Sequence, residues 1–452
     1  MNHITRRSLL RLGAGSFAIL GAGGRLSRLG MLNAAVNSTT PNYKALVCIF
    51  LFGGNDSNNL IVPIQTNKQS YTAYFNVRGT TLGLTQNSLL SIPASGGQEH
   101  YGLHPQFGPL QALYNQGKAA IVANVGMLVN PISKQQYQNG ATVPMNLFSH
   151  SDQQQQWQTA PGPNSPRNGW GGRAGDILAA LNQPSTFPTG VSLAGNSLFL
   201  TGQTPAASVS NGGLGLDGSD GSPAANARDA AFQQILTFDT GLQLIQTANL
   251  ATSDGIAAGK ALNAALAGGQ NLTTVFPNTG LGSQLQQVAQ IMKVRSTLGM
   301  TRQIFFVSQG GYDTHTTQIP QQDSLFGELA PAMAAFYNAT VELGLDNQVV
   351  TFTESEFGRT CQPDTGAGSD HAWGSHHVVM GGAVKAADVY GTFPSLSLNG
   401  PDDATGRGVY VPTTSLDQYG ATLASWFGVS DSSLTTVFPN LVNFTTKKLA
   451  FV

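Results

Sequence analysis

The sequence predicts a three-layer α/β fold, with a mostly parallel central sheet and helices on both faces. Three observations carry this. Short apolar runs rich in strand formers recur without polar–apolar alternation, the pattern of strands covered on both faces. Helical patterns separate the runs, as connections between parallel strands require. The 452-residue chain, 41% hydrophobic, is long enough to bury a large core.

Five runs read as strands: residues 44–52, 119–125, 304–308, 349–353 and 378–380. Helical periodicity marks residues 105–115, 172–181, 285–298 and 325–343, and a last helix over 416–427. Residues 204–226 differ. They are rich in Gly, Ser, Ala and Asp, lack periodicity, and read as a surface loop leading to helices near 230–246 and 255–266. The region around 200–275 is therefore an expected loop and helical insertion in a single domain spanning 36–452.

The N-terminus carries Thr5-Arg6-Arg7-Ser8-Leu9-Leu10-Arg11, followed by a moderately apolar stretch broken by Gly13, Gly15, Gly21, Gly23 and Gly24. A spanning helix needs roughly 20 uninterrupted apolar residues. Residues 1–35 thus read as a twin-arginine signal peptide, with the twin-arginine export machinery as a partner and a periplasmic or secreted destination. No later segment is long and apolar enough to span a bilayer. The signal holds five arginines and no acid, leaving 17 basic against 23 acidic residues, a formal charge of −6. That balance, with no basic stretch, excludes a nucleic-acid partner. Charged residues are only 10% of the chain, so neutral polar groups carry its solubility. Two cysteines, Cys48 and Cys361, cannot make a disulfide framework. Cys48 sits in an apolar strand as a small hydrophobe.

In open α/β sheets, ligands bind beyond the carboxyl ends of the strands. Three expected strands run directly into chemistry-bearing groups. The first is followed by Gly53-Gly54-Asn55-Asp56, the third by Gly310-Gly311-Tyr312-Asp313-Thr314-His315, and the fourth by Glu354-Ser355-Glu356-Phe357-Gly358-Arg359. Asp370-His371, with His376 and His377, precedes the last expected strand. Four of the eight histidines fall in two of these segments. Carboxylates and imidazoles converging from separate segments are what a divalent metal requires. A further segment, Phe148-Ser149-His150-Ser151-Asp152, opens a helix. Its free N–H groups and dipole favour an anion there, and Ser149 reads either as a helix cap or as a nucleophile. The side chain of His150 is expected to point elsewhere.

Taken together, the segments FLFGGNDSNNLIVP, YGLHPQFGPL, LFSHSDQQQQW, GWGGR, GGYDTH, TESEFGR, SDHAWGSHHVVMGG, DQYGATLASWFG and VFPNL resemble the DUF1501 family of exported bacterial proteins. That family in turn resembles the sulfatase and alkaline-phosphatase superfamily. The resemblance implies an alkaline-phosphatase-like α/β domain with one or two divalent ions, such as zinc, calcium or manganese, at the carboxyl edge of the sheet. It implies Asp56, Asp313, His315, Glu356 and His371 as metal ligands, and Ser149 as nucleophile with Ser151 second. For such a hydrolase Arg359 reads as a bidentate partner for the substrate anion, with a surface ion pair as its alternative role. The implied activity is metal-dependent hydrolysis of phosphate or sulfate esters. The implied partner is a small anionic ester or a sulfated or phosphorylated polymer.

The sequence departs from the superfamily at three points. Phe357 stands where a metal-ligating histidine is usual. One residue rather than three separates Asp313 from His315. Ser149 lies outside a Cys/Ser-x-Pro-x-Arg element. Phe357 and the missing nucleophile element favour the alternative, an envelope or secreted binding protein of the same fold without turnover. A serine esterase of the Gly-Asp-Ser type is a third reading, suggested by Gly53-Gly54-Asn55-Asp56. No early Gly-Asp-Ser and no late Asp-x-x-His accompany that element.

Overall fold

The computed structural model describes residues 42–452 apart from 68, 163–167, 210–221, 239–240, 269–270 and 386. The expected signal segment, 1–35, lies outside the described residues. The strands are β1 (Lys44–Leu51), β2 (Ile61–Gln65), β3 (Leu90–Ala94), β4 (Glu99–Leu103), β5 (Ala119–Gly126), β6 (Gly190–Ser192), β7 (Ala207–Ser208), β8 (Arg302–Gln309), β9 (Val349–Glu354), β10 (Ser375–Met380), β11 (Val389–Gly391) and β12 (Thr414–Ser415). The helices are α1 (Tyr71–Leu82), α2 (Gly108–Asn115), α3 (Lys134–Gln138), α4 (His150–Thr159), α5 (Trp170–Leu178), α6 (Pro223–Leu236), α7 (Gln243–Ala267), α8 (Gly280–Lys293), α9 (Gln318–Glu342), α10 (Leu416–Phe427) and α11 (Leu434–Val437).

Nine strands form one sheet in the order β11-β5-β10-β9-β1-β8-β6-β7, with β12 also paired to β5. β1 lies between β8 and β9 and runs parallel to both. β6 is parallel to β8 and β7, and β5 is parallel to β11 and β12. β10 runs antiparallel to its neighbours β5 and β9. Both faces are covered, which explains the unbroken apolar run of β1. Its odd-numbered Ala45, Val47, Ile49 and Leu51 pack with Leu285 and Val288 of α8 and Phe326 and Met333 of α9. Its even-numbered Leu46, Cys48 and Phe50 pack with Trp170 of α5 and Tyr419 and Leu423 of α10. The architecture is the mostly parallel sheet flanked by helices that the sequence predicts.

Register then sets where the loops emerge. Leu51 pairs with Gln309 and Phe50 with Glu354, so β1, β8 and β9 end level at one edge. Because β10 is reversed, the loop that enters it, carrying Asp370 and His371, arrives at that same edge.

The structure also holds elements that the sequence pattern does not announce. β2, β4 and β3 form a small antiparallel sheet in that order. Pro63 and Pro93 interrupt the strand patterns, and both are tolerated because β2 and β3 are edge strands. Within the expected insertion, the helical boundaries shift. The expected helix 230–246 straddles the gap between α6 and α7, where Gly241 has φ +70°. No break occurs near Gly255, because α7 runs through it. A single glycine in an exposed helix costs only about 1 kcal/mol relative to alanine.

Candidate metal centre

The site is built on tight turns. Gly53 and Gly54, just beyond β1, have φ of +118° and +80°. A Cβ on Gly53 would lie 2.3 Å from the backbone N of Asp313, and one on Gly54 would lie 2.2 Å from the Phe357 ring. Glycine at both positions lets the loops after β1, β8 and β9 close on one another.

Asp313 is the hub. Its Oδ1 lies 3.4 Å from His150 Nε2, 3.1 Å from His315 Nε2 and 3.5 Å from His371 Nε2. Arg359 Nη2 also donates to it. Each imidazole is held from its other nitrogen. His150 Nδ1 lies 2.9 Å from Glu356 Oε1, His371 Nδ1 lies 2.7 Å from the carbonyl of Phe148, and His315 Nδ1 lies 3.4 Å from Asp370 Oδ1. A carbonyl only accepts, so His371 carries its proton on Nδ1 and presents a lone pair at Nε2. That Nε2 faces His315 Nε2 at 3.0 Å. Phe357 packs on the cluster as a wall, its ring 4.6 Å from that of His371 and 4.8 Å from that of His150. Asp313 is about half exposed, so solvent reaches the hub.

Glu356 is fully buried. Its Oε1 accepts from Gly53 N, His150 and Gln154 Nε2, and its Oε2 has no partner among the described residues. His150 Nε2 likewise is buried without a hydrogen bond. The electrostatics follow from these contacts. The hydrogen bond to Glu356 raises the His150 pKa against burial, which lowers it. Burial, helped by the nearby Arg359 charge, lowers that of His371 against the raising effect of its hydrogen bond to the Phe148 carbonyl. Burial pushes the Asp313 carboxyl up, but Arg359 and the neighbouring imidazoles outweigh it and hold the pKa below its usual value.

The structure sorts the expected site residues. Asp313, His315 and His371 come together. Ligand atoms of His150, Asp313 and His371 lie within 4.8 Å of one another, and so do those of His315, Asp364 and Asp370. Glu356 stands behind His150 and orients it. Asp56 does not join either group. Its carboxylate is bound by buried Arg78, by Gln318 Nε2 and by Asn58, so both oxygens are occupied. Arg359 is a correction to the anion-clamp expectation. It is fully buried, and its N–H groups go to the carbonyls of Gly53, Gly54 and Ser369, to His315 and to Asp313. No N–H remains for a substrate, and Arg359 instead ties the three loops together.

Ser149 precedes the first residue of α4, between Phe148, which holds His371, and His150. Its hydroxyl donates to Asp152 Oδ2 at 2.6 Å. His150 corrects the expectation that it points away: as the first residue of α4 it turns into the cluster. No spacing rule marks it, since its partner Glu356 lies 206 residues on. His376 and His377 are core residues of β10, and burial pushes both pKa values down to about 3. His376 Nδ1 accepts from Asn124 N, and His377 stacks on Tyr419.

The family profile described as "Protein of unknown function (DUF1501)" matches residues 43–406. No curated protein matches the chain. Among solved structures it is similar to Ps i-CgsB, at 10% identity and TM-score 0.32, over 89% of this chain and 77% of that one. It is similar to the PsFucS1 sulfatase from Pseudoalteromonas sp., at 10% identity and TM-score 0.33, over 90% of this chain and 71% of that one. It is also similar to the alkaline phosphatase PafA, at 10% identity and TM-score 0.30, over 72% of this chain and 64% of that one.

Proposed function

We propose that this chain, which belongs to the DUF1501 family, is an exported metal-dependent hydrolase of phosphate or sulfate esters. One observation carries the metal reading: the Nε2 atoms of His315 and His371 face each other at 3.0 Å beside the Asp313 carboxylate. With its proton on Nδ1, His371 presents an Nε2 lone pair to His315, so two lone pairs oppose unless a proton or a cation lies between the nitrogens. The Nε2 of His150, buried and without a hydrogen bond, lies 3.4 Å from the same carboxylate. Imidazole and carboxylate groups are the donors zinc takes, and backing each imidazole by a carboxylate or carbonyl is the usual way to fix such ligands. His150, Asp313, His315 and His371 would hold the ion. A divalent cation there supplies a Lewis acid for the ester oxygen.

The chain's own residues supply the rest. Glu356 and Asp370 orient His150 and His315, and Phe357 keeps one side of the site dry. Arg359 offsets part of the carboxylate charge while fixing Asp313. Ser149 is the proposed nucleophile, with its proton donated toward Asp152. The occupied guanidinium of Arg359 favours a second reading, an envelope or secreted protein that binds through the same centre without turnover.

Elemental analysis of the purified protein, followed by a broad panel of phosphate and sulfate esters with each candidate metal, tests both readings. We expect about one bound divalent ion per chain and turnover of at least one ester class. Ser149→Ala should abolish that turnover with metal content intact. Full activity in this variant removes Ser149 as nucleophile. Metal without turnover on any ester establishes the binding reading, and loss of neither metal nor activity in His371→Ala overturns the site.

A further inference from the structure

We infer that the α6–α7 hairpin is the surface through which two copies of this chain pair. Large apolar side chains crowd its free end: Ile235, Phe238, Leu244, Ile245 and Leu250 are 63, 71, 83, 38 and 65% exposed. Single exposed apolar residues need no explanation, whereas a contiguous patch marks an interaction site.

One face of α7 shows what is missing. Leu244, Ala248, Ala251, Gly255, Ala258 and Leu262 follow one another at helical spacing and share that face. Ala258 and Leu262 are buried in the core beside α8 and α9. Leu244, Ala248 and Ala251, on the same face nearer the tip, are exposed. The docking surface that holds the second half of the helix simply ends before the first half.

Charge and area choose the occupant. Residues 230–253 contain a single charged residue, Asp239, and no Lys, Arg, Trp or Tyr. A membrane-surface helix would carry basic residues on its polar face and aromatic anchors at the interface. The end of the hairpin, residues 230–253, has no basic residue with which to seek an acidic partner; Arg228 and Lys260 lie farther from the tip. A second neutral, apolar hairpin of the same kind meets it without repulsion, and Gln243, Thr247 and Asn249 can pair across the contact. At roughly 100 Å² apiece, these side chains and the neighbouring alanines bring about 600 Å² per copy and about 1,200 Å² per pair, the lower bound of a stable, specific interface. The two-fold arrangement is closed, so it yields dimers and no fibres.

Sedimentation equilibrium of the full chain tests this independently of any enzymatic activity. The wild type should have twice the single-chain mass, and the double variant Leu244→Glu, Ile245→Glu should sediment as a single chain over the same concentrations. Val275→Glu, an equally exposed site outside the hairpin, should stay dimeric. If the double variant misfolds by circular dichroism, Phe238→Ser with Leu250→Gln replaces it. A wild-type monomer, a dimer that survives the hairpin variants, or a monomer that pellets with neutral phosphatidylcholine vesicles overturns the proposal.

Discussion

Two buried carboxylates show how different jobs follow from different partners. Asp56 is enclosed with Arg78, and neither side chain reaches solvent. Arg78 also donates to the carbonyls of Thr360 and Cys361, so the pair pins the loop that carries Arg359. Replacing Asp56 by Asn leaves a buried guanidinium uncompensated, which costs about 3–5 kcal/mol. The expected result is a large loss in urea-unfolding free energy with metal affinity per folded molecule nearly unchanged. Glu356 behaves in the opposite way. Glu356→Gln keeps the shape and loses the charge behind His150, so metal affinity should fall about 10–100-fold while stability changes little. Metal titration of both variants separates the roles, and equal metal loss in both would refute the division. The sequence anticipates that Asp313, His315 and His371 come together, because each lies beside an end of a strand at one edge of the sheet. It misplaces Asp56 for the same reason: a strand-end position does not reveal that an arginine 22 residues later closes on it. His150 is invisible at this scale, because its one signal is contact with a residue in another third of the chain.

At the scale of elements, the long buried strands were legible from composition, and the elements that hold them in place were not. α10 illustrates the second kind. Asp417, in its first turn, is wholly buried, accepts from Asn440 N at 3.1 Å, and leaves Oδ2 without a partner. Burial pushes its carboxyl from 3.8 up to about 7, against the opposing pull of Asn440 and Arg173. The sign follows from linkage. The folded state keeps a proton that the unfolded state has already lost, so stability is full below 3.8 and falls as pH rises to about 7. The loss is on the order of 4 kcal/mol if the group acts alone. Asp417→Asn removes this titration while keeping the acceptor for Asn440. The unfolding free energy of the variant relative to wild type should therefore shift in its favour by that amount between pH 4 and pH 8. A difference that does not change with pH would show that Asp417 is already ionised in the folded protein.

On the scale of the whole molecule, the candidate centre gathers groups from loops far apart in the chain. β1 is paired with β8 and β9, and the cluster draws on residues from His150 to His371. Opening the site therefore means separating segments that the central sheet joins, and an ion bound there stabilises the folded chain against global unfolding. Binding to the folded state alone contributes about 2.7 kcal/mol when free metal exceeds its dissociation constant a hundredfold. For a chain of this size that corresponds to roughly 3 °C in the unfolding midpoint. Chelation should lower the midpoint of the wild type by about this much, and readdition of the metal should restore it. His371→Ala, which removes one of the imidazoles facing Asp313, should unfold at one temperature with or without chelator. The comparison is independent of turnover, so it holds for a hydrolase and for a binding protein alike. A wild type indifferent to chelator after metal loading, or a variant that responds as fully as the wild type, would mean that the opposed imidazoles are held by a shared proton instead of an ion.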